Sequence, residues 1–236
     1  MTGLGQEWTK TIRALSKISD YYRELNSVIS LGTDLKIRRE AIEKFLKQPR
    51  IVLDLGSGDG VFTEVTIFSK PSIHLVVMLD VLLEMLKKAK KIDNVEKVQG
   101  TFEHLPFRDL GFDNIIAAFS LRDSINLEKA LSEIKRIMKD HGGLVVVDLG
   151  KPDTYLKRFL IFFYWNVIAP LIAMIKLGSR GIFSSLEIAR TLKPYPTNSH
   201  LAKIYKKYFS HTVLFEKFIG GVILLHASKE FSREAS

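Results

Sequence analysis

The sequence contains no cysteine among its 236 residues. A chain without thiols forms no disulfide, offers no thiolate ligand to a metal and has no cysteine nucleophile, and it suits a reducing compartment. The first ten residues are polar and lack the apolar core of a secretory signal peptide. Internal repeats and low-complexity tracts are also missing. We therefore expect one cytoplasmic domain over residues 1–236, with the inner face of the membrane as an additional location.

Acidic residues are in the minority, because 26 Asp and Glu stand against 35 Lys and Arg and the net charge is +9. Two basic runs occupy residues 36–50 and 87–97. Such an excess can favour anionic membranes or nucleic acid as partners. Solvated helix faces explain most of these side chains more simply, and we favour that interpretation. No cluster of side chains suggests a metal site, and no feature indicates an oligomeric state.

Apolar runs that alternate with helical segments dominate the middle of the chain. Alternation of this kind predicts βαβ units and a parallel sheet covered by helices on both faces. Two further apolar runs, 212–218 and 222–227, are joined through Gly220 and Gly221 and predict an antiparallel hairpin. We therefore expect an α/β Rossmann-like fold with a mostly parallel seven-stranded sheet. Its predicted parallel strands are 51–55, 74–79, 95–99, 112–119 and 144–149, and helices are predicted at 61–69, 82–91 and 127–138.

Two segments lie outside this alternating pattern. We expect residues 1–48 to form a helical cap and residues 153–208 to form an apolar lid inserted before the hairpin. Within the lid, residues 159–175 carry no charge, contain Pro170 and are flanked by basic residues. These 17 residues are at the lower limit for a span, which needs about 20. We favour a lid or a peripheral membrane contact over a span, with a lid buried in the protein as the alternative.

A glycine-rich loop between the first strand and the first helix of the sheet is the sharpest motif. Residues 53–60 read L-D-L-G-S-G-D-G, with glycine at 56, 58 and 60. Ligands of open α/β sheets bind beyond the carboxyl ends of the strands, where this loop lies. The dinucleotide pattern would need glycine at position 61, which is Val61. The spacing therefore favours S-adenosylmethionine (SAM) over NAD, with Asp54, Gly56, Ser57, Gly58 and Gly60 as cofactor-binding residues, while a tight turn without a ligand is the structural alternative.

Two more loops complete a predicted nucleoside site. Asp80, followed by Val81, ends the second strand and can accept hydrogen bonds from both ribose hydroxyls, although it could instead cap the next helix. Thr101 and Phe102 follow the third strand. Thr101 could bond the edge of the adenine and Phe102 could pack on its face, or Phe102 could belong to the core.

Short motifs along most of the chain carry a family resemblance. They are Tyr22, Asn26, Ser30 and Gly32; the glycine loop; Glu103, Leu105, Pro106 and Phe107; 119–123; 136–143; Lys151 and Pro152; 191–196; and Gly220, Gly221, Val222 and His226. In order and spacing they resemble the UbiE-type family, the C-methyltransferases of ubiquinone and menaquinone biosynthesis. The resemblance implies that Tyr22, Phe119 and Ser120 also contact SAM. The sequence departs from the family at Arg23, Thr101, Ser120 and Asp123, and these changes suggest a remote member.

The resemblance implies methyl transfer from the sulfonium of SAM to a small apolar acceptor, most simply a ring carbon of a prenylated quinol. Such chemistry needs a proton acceptor or a cation that stabilises the phenolate. Arg122 is the first candidate for the cation, although a salt bridge with Asp123 or Asp148 would explain it equally well. His104 and His200 are candidate general bases that could also be plain surface residues. Tyr195 could bond a quinol oxygen or simply pack, and His226 is interpreted as structural.

Other functions are alternatives to quinol methylation. The acceptor could be another lipid or small molecule, which the apolar segment suits equally well. A peripheral membrane protein could bind SAM without transferring its methyl group. Nucleic acid is disfavoured as a partner because residues 119–122 lack the signature of adenine amino-methyltransferases. A nicotinamide-dependent reductase is disfavoured by Val61.

Overall fold

The computed structural model describes residues 3–229 and contains a seven-stranded sheet in the order β3-β2-β1-β4-β5-β7-β6. Strands β1 to β5 run parallel, and β7 lies antiparallel between β5 and β6. The predicted mostly parallel sheet with its antiparallel C-terminal hairpin is confirmed. The ends of the predicted domain, residues 1–2 and 230–236, lie outside the described residues. The strands are β1 Ile51–Leu55, β2 Leu75–Asp80, β3 Val95–Gln99, β4 Phe112–Ala118, β5 Met138–Leu149, β6 His211–Lys217 and β7 Val222–Ser228.

Helices cover both faces of the sheet, because side chains of the central strands alternate between two apolar clusters. On one face, helices α3 and α4 pack against Val52, Ile116 and Val145. On the other, helices α6 and α10 pack against Leu53 and Ile115. The helices are α1 Trp8–Ile18, α2 Tyr22–Ile29, α3 Asp34–Phe45, α4 Val61–Ser69, α5 Leu83–Lys88, α6 Leu127–Ile137, α7 Tyr155–Phe163, α8 Ala169–Leu177, α9 Ser179–Thr191 and α10 Asn198–Tyr208.

Helices α7, α8 and α9 occupy most of the predicted lid region, residues 153–208, and pack against α1 and α2 through a separate apolar cluster that includes Leu25, Trp165 and Ile188. The end of that region is α10, which packs on the sheet instead. A wide π turn, Tyr164–Ile168, joins α7 to α8, and Pro170 lies in the first turn of α8. The missing N–H of proline is tolerated there, so the chain stays helical. Within residues 3–229, the segment Tyr155–Leu177 is long and apolar enough to cross a membrane by length and composition, and 22% of its most apolar window is buried.

Some predictions differ from the structure. The helix predicted at 82–91 spans only Leu83–Lys88. The fifth strand is predicted to begin at residue 144, but β5 already begins at Met138 and includes Gly142 and Gly143. Its pairing with β4 changes register between Phe112 and Asn114, so the two glycines lie inside an irregular strand rather than in a turn. Most basic residues of the run 36–50 are expected on a solvated face, but Arg38 is an exception, because it is buried in α3 with 6% of its surface exposed.

Candidate functional site

The site lies where the strand order reverses, between β1 and β4. Loops that leave neighbouring parallel strands in opposite directions open a crevice at the carboxyl end of the sheet. The glycine loop follows β1, and residues 119–122 follow β4. The loops after β2 and β3 border the same crevice, and helices α1 and α2 contribute residues to its outer wall.

The glycine loop keeps its backbone open to the crevice because two glycines take left-handed conformations. The φ angles of Gly56 and Gly58 are +66° and +55°. A Cβ atom on Gly56 would lie 2.4 Å from the Cβ of Ser120, on the facing loop. The N–H groups of Gly56 and Ser57 donate to the carbonyl of Leu79 at 2.8 and 3.1 Å, which ties the end of β1 to β2.

Asp80 faces this loop from the end of β2. Its Oδ2 accepts a hydrogen bond from the Gly58 N–H and its Oδ1 accepts one from the Leu82 N–H, both at 2.8 Å. Burial raises the pKa of Asp80 and the backbone donors oppose that rise. Each carboxylate oxygen has more than one acceptor position, so Asp80 can still receive two hydroxyl donors. The N-cap alternative is wrong, because the N-cap of α5 is Leu82 and no side chain caps that helix, while the contacts of Asp80 leave the ribose-binding prediction open.

A first cavity, called here the glycine-loop cavity, runs between these loops and α1. Nine of the predicted cofactor residues line it, namely Tyr22, Gly56, Gly58, Asp80, Val81, Thr101, Phe102, Phe119 and Ser120. Asp54 and Gly60 line none of the cavities described here. Asp54 is buried and accepts a hydrogen bond from the Thr63 hydroxyl at 2.7 Å, while Gly60 is the N-cap of α4, with φ +87°.

A second cavity, called here the apolar cavity, has a volume of about 490 Å³ and adjoins the first. Tyr22 and Phe119 line both cavities. The remaining wall is mostly apolar and comes from α2, α3, the lid and the turn at residues 218–221. Phe119 has a φ of +58°, a strained value for a bulky residue, and strain of this kind is common at ligand sites.

Arg122 is the only cation among the residues that line the apolar cavity. It is 3% exposed, and its Nη1 donates to Oδ1 of Asp148 at 2.5 Å while its Nε donates to the Thr191 hydroxyl at 2.9 Å. Burial opposes its charge, but the neighbouring carboxylates of Asp123 and Asp148 outweigh burial and raise its pKa. The salt bridges considered from the sequence are thus both present, with Asp148 and, at 3.6 Å, with Asp123, and the guanidinium stays charged at the cavity wall.

The other predicted catalytic residues do not line these cavities. His104 is exposed, and its Nε2 lies 2.8 Å from the Nζ of Lys129. Tyr195 is 3% exposed within the core, and burial raises its pKa well above the usual value. His200 is exposed on α10. His226 stacks on Phe45 at 5.3 Å between ring centroids, in keeping with the structural interpretation.

Sequence reasoning missed a third cavity, called here the arginine cavity. Arg38, Ser57 and Gly58 are among its lining residues, together with Tyr22. The signal for Arg38 was present, because residues 34, 37, 38, 41 and 42 form the buried stripe of α3 at helical spacing. A charged residue inside that stripe points toward the protein interior.

The residues fit SAM. The glycine loop provides a cradle that a single Cβ would obstruct, and Asp80 lies beside it. Two buried polar atoms of the arginine cavity, Arg38 Nε and Ser57 Oγ, have no hydrogen-bond partner among the described residues. Within residues 3–229, no group of three or more His, Asp or Glu side chains is arranged to hold a metal ion.

Comparisons with known proteins agree with this geometry. A sequence model of the ubiE/COQ5 methyltransferase family matches residues 2–230. The demethylmenaquinone methyltransferase of Thermotoga maritima is 32% identical over 186 residues, which cover 76% of each chain. The demethylmenaquinone methyltransferase of Bacteroides fragilis is 25% identical over 232 residues, covering 95% of this chain and 94% of the relative.

Solved structures share the fold at lower identity. A SAM-dependent methyltransferase from Thermotoga maritima superimposes with a TM-score of 0.66 at 18% identity, covering 93% of this chain and all of the other. The plantazolicin methyltransferase BpumL, solved with S-adenosylhomocysteine (SAH), gives a TM-score of 0.67 at 13% identity, covering 95% of this chain and 97% of the other.

Proposed function

Because the chain belongs to the ubiE/COQ5 methyltransferase family and is a SAM-dependent methyltransferase, we propose that it methylates a ring carbon of a prenylated quinol. One observation carries this proposal. An apolar cavity of about 490 Å³, with a single fixed cation in its wall, shares Tyr22 and Phe119 with the glycine-loop cavity. A volume of this size suits a bicyclic or monocyclic ring and the first part of an apolar tail.

We assign one cavity to the methyl donor and the other to the methyl acceptor. We assign the adenosine to the glycine-loop cavity, with its ribose on Asp80 and its base against Thr101 and Phe102. The bound donor supplies an electrophilic methyl group on a sulfonium. Tyr22 and Phe119, which are both partly buried, form the boundary across which the methyl group moves. Alignment of this kind contributes up to about 7–11 kcal/mol to such reactions.

Arg122 is assigned to the acceptor oxygen. A ring carbon becomes nucleophilic when the neighbouring phenol loses its proton, and a fixed cation stabilises the phenolate in a low-dielectric cavity. Asp148 and Thr191 hold the guanidinium in place, so it needs no rearrangement when the negative charge forms. Arg122 does not act as the base because its pKa is raised. In this proposal a water at the cavity accepts the phenolic proton. The bond from the methyl group to the donor sulfur would break as the bond to the ring carbon forms, and that carbon would then release its hydrogen as a proton, which restores the aromatic ring.

The test is methyl transfer from deuterated SAM to a short-chain demethylnaphthoquinol kept reduced with dithionite. Tandem mass spectrometry should find one deuterated methyl group on a ring carbon, and the oxidised quinone should remain unchanged. Replacement Arg122→Met should lower kcat on the order of 10²- to 10³-fold, while SAH affinity stays within about twofold. A methyl group on oxygen, or full activity of the variant, would refute this assignment.

The acceptor tail leads to a membrane proposal. Large apolar side chains on the outer side of α7, including Phe159 and Phe162, are 54% and 56% exposed. Leu31, Phe218 and Ile219 line the apolar cavity and are also more than half exposed, which makes them its apolar rim. Basic residues flank the lid, and the chain carries +9. We propose that this face rests on an anionic membrane surface, so that the quinol enters the cavity from the bilayer.

Vesicle co-sedimentation tests the membrane proposal. The wild-type protein should bind vesicles that contain phosphatidylglycerol and bind neutral phosphatidylcholine vesicles more weakly. The double variant Phe159→Glu and Phe162→Glu should lose binding, whereas Phe68→Glu should retain it, because Phe68 is 76% exposed but belongs to α4 on another part of the surface. Equal binding by both variants would contradict this docking face.

A further inference from the structure

Arg38 is a buried cation without a counter-ion. It is 6% exposed, and among residues 3–229 its Nε has no hydrogen-bond partner and its guanidinium forms no ion pair. Its carbon Cζ lies 5.0 Å from the ring centroid of Phe119 and 5.6 Å from that of Phe62. Aromatic faces compensate only part of the lost hydration of a charge, so the site is poised to accept an anion.

The neighbouring arginine provides a contrast within the same cavity. Arg23 also lines the arginine cavity, but its Nε donates to Oδ2 of Asp59 at 2.8 Å and its Nη2 donates to Oε1 of Glu64 at 3.0 Å. Two carboxylates therefore hold Arg23 in place. Of the two arginines that line this cavity, Arg38 is the one that forms no ion pair with another described residue.

The position of the cavity identifies the anion. The arginine cavity shares Gly56, Gly58 and Tyr22 with the glycine-loop cavity, so a ligand can extend from one into the other. The adenosine end of the donor belongs beside Asp80, and its amino-acid end must leave the ribose toward the methyl-transfer boundary at Tyr22. We propose that Arg38, with the Ser57 hydroxyl, binds the carboxylate of the methionine moiety of SAM.

Two nearby acids, Asp34 and Asp54, influence the charge of Arg38. Both act electrostatically on Arg38, and Asp34 lies one helical turn before it in α3. Asp34 also lines the apolar cavity and is within 3.3 Å of the Ser30 hydroxyl, which donates to it. Burial lowers the pKa of Arg38, and these two acids oppose that effect without forming an ion pair with it. The proposal rests on SAM binding and is independent of the quinol acceptor.

Calorimetric titration with two ligands measures how much the carboxylate contributes to binding. SAH carries it, and the decarboxylated analogue S-adenosyl-3-thiopropylamine lacks only that group. The wild-type protein should bind SAH about 10- to 100-fold more tightly than the analogue, the range expected of a charge-assisted contact. In Arg38→Met this ratio should fall to about twofold or less, through loss of SAH affinity alone. Arg38→Lys should keep an intermediate ratio.

Arg39→Met is the matched control, since Arg39 is the next residue of α3 and is exposed. Its ratio should equal that of the wild type. The proposal is overturned if the wild type binds both ligands equally, or if Arg38→Met weakens both ligands to the same extent. Failure of the wild type to bind either ligand would instead refute the donor site as a whole. Thermal melts without ligand should show no loss of stability in Arg38→Met, because an unpaired buried charge is removed.

Discussion

Replacement Gly56→Ala tests the glycine-loop cradle most sharply. The new Cβ would lie 2.4 Å from the Cβ of Ser120, 2.8 Å from its Oγ and 3.0 Å from Cζ of Phe102, at a φ of +66°. The left-handed conformation costs alanine roughly 1–2 kcal/mol. Overpacking against a buried neighbour adds about 1–3 kcal/mol. The expected loss of unfolding free energy is therefore about 2–5 kcal/mol.

Gly32→Ala separates the two contributions. Gly32 has a φ of +72°, but a Cβ there meets no atom within 4 Å. Gly32→Ala should lower the unfolding free energy measured in urea by about 1–2 kcal/mol, which is the cost of the left-handed conformation alone. Calorimetry should show that Gly56→Ala also loses SAH affinity by at least about tenfold, since Ser120 and Phe102 must move, while Gly32→Ala binds SAH normally. Equal losses of stability, or normal SAH binding by Gly56→Ala, would refute the reasoning.

Two further predictions concern the buried carboxylates. Asp80→Asn should weaken SAH binding about 10- to 100-fold. It should also lower the unfolding free energy measured in urea by about 1–3 kcal/mol, because an amide nitrogen would face the Gly58 or Leu82 N–H. Unchanged SAH affinity would contradict the ribose assignment. Burial raises the pKa of Asp54 from 3.8 to about 7, so the folded state favours the protonated acid and stability falls as pH rises between these values. Ionisation of Asp54 should lower the unfolding free energy of the wild type by about 2–3 kcal/mol between pH 5 and pH 8. Asp54→Asn should lack this pH dependence. Parallel plots of unfolding free energy against pH for the two proteins would show that the pKa of Asp54 is not raised.

The sheet could be predicted from the sequence because its strands are short apolar runs bounded by turns and helices. The glycine spacing and Asp80 could also be placed at the crevice, since both belong to loops whose position follows from strand order alone, and their binding of the donor stays a prediction. The start of β5 could not be predicted in this way. Gly142 and Gly143 favour a turn locally, but pairing with β4 draws them into an irregular strand.

The burial of charged residues was harder to predict. Arg38 belongs to a basic run that looks like a solvated face, and only its register with Ile37, Ala41 and Ile42 indicates burial. His104 follows a strand that borders the site, yet the local bend between Thr101 and His104 leaves it exposed next to Lys129. Side-chain direction in such loops depends on a few backbone angles that composition does not specify.

A crystal structure of the protein with SAH would test the central claim most directly. The account predicts that the ribose hydroxyls lie within hydrogen-bond distance of Asp80, that the carboxylate lies on Arg38, and that the sulfur faces the apolar cavity between Tyr22 and Phe119. A ligand whose sulfur points away from that cavity, or whose ribose does not reach Asp80, would contradict the proposed division between donor and acceptor.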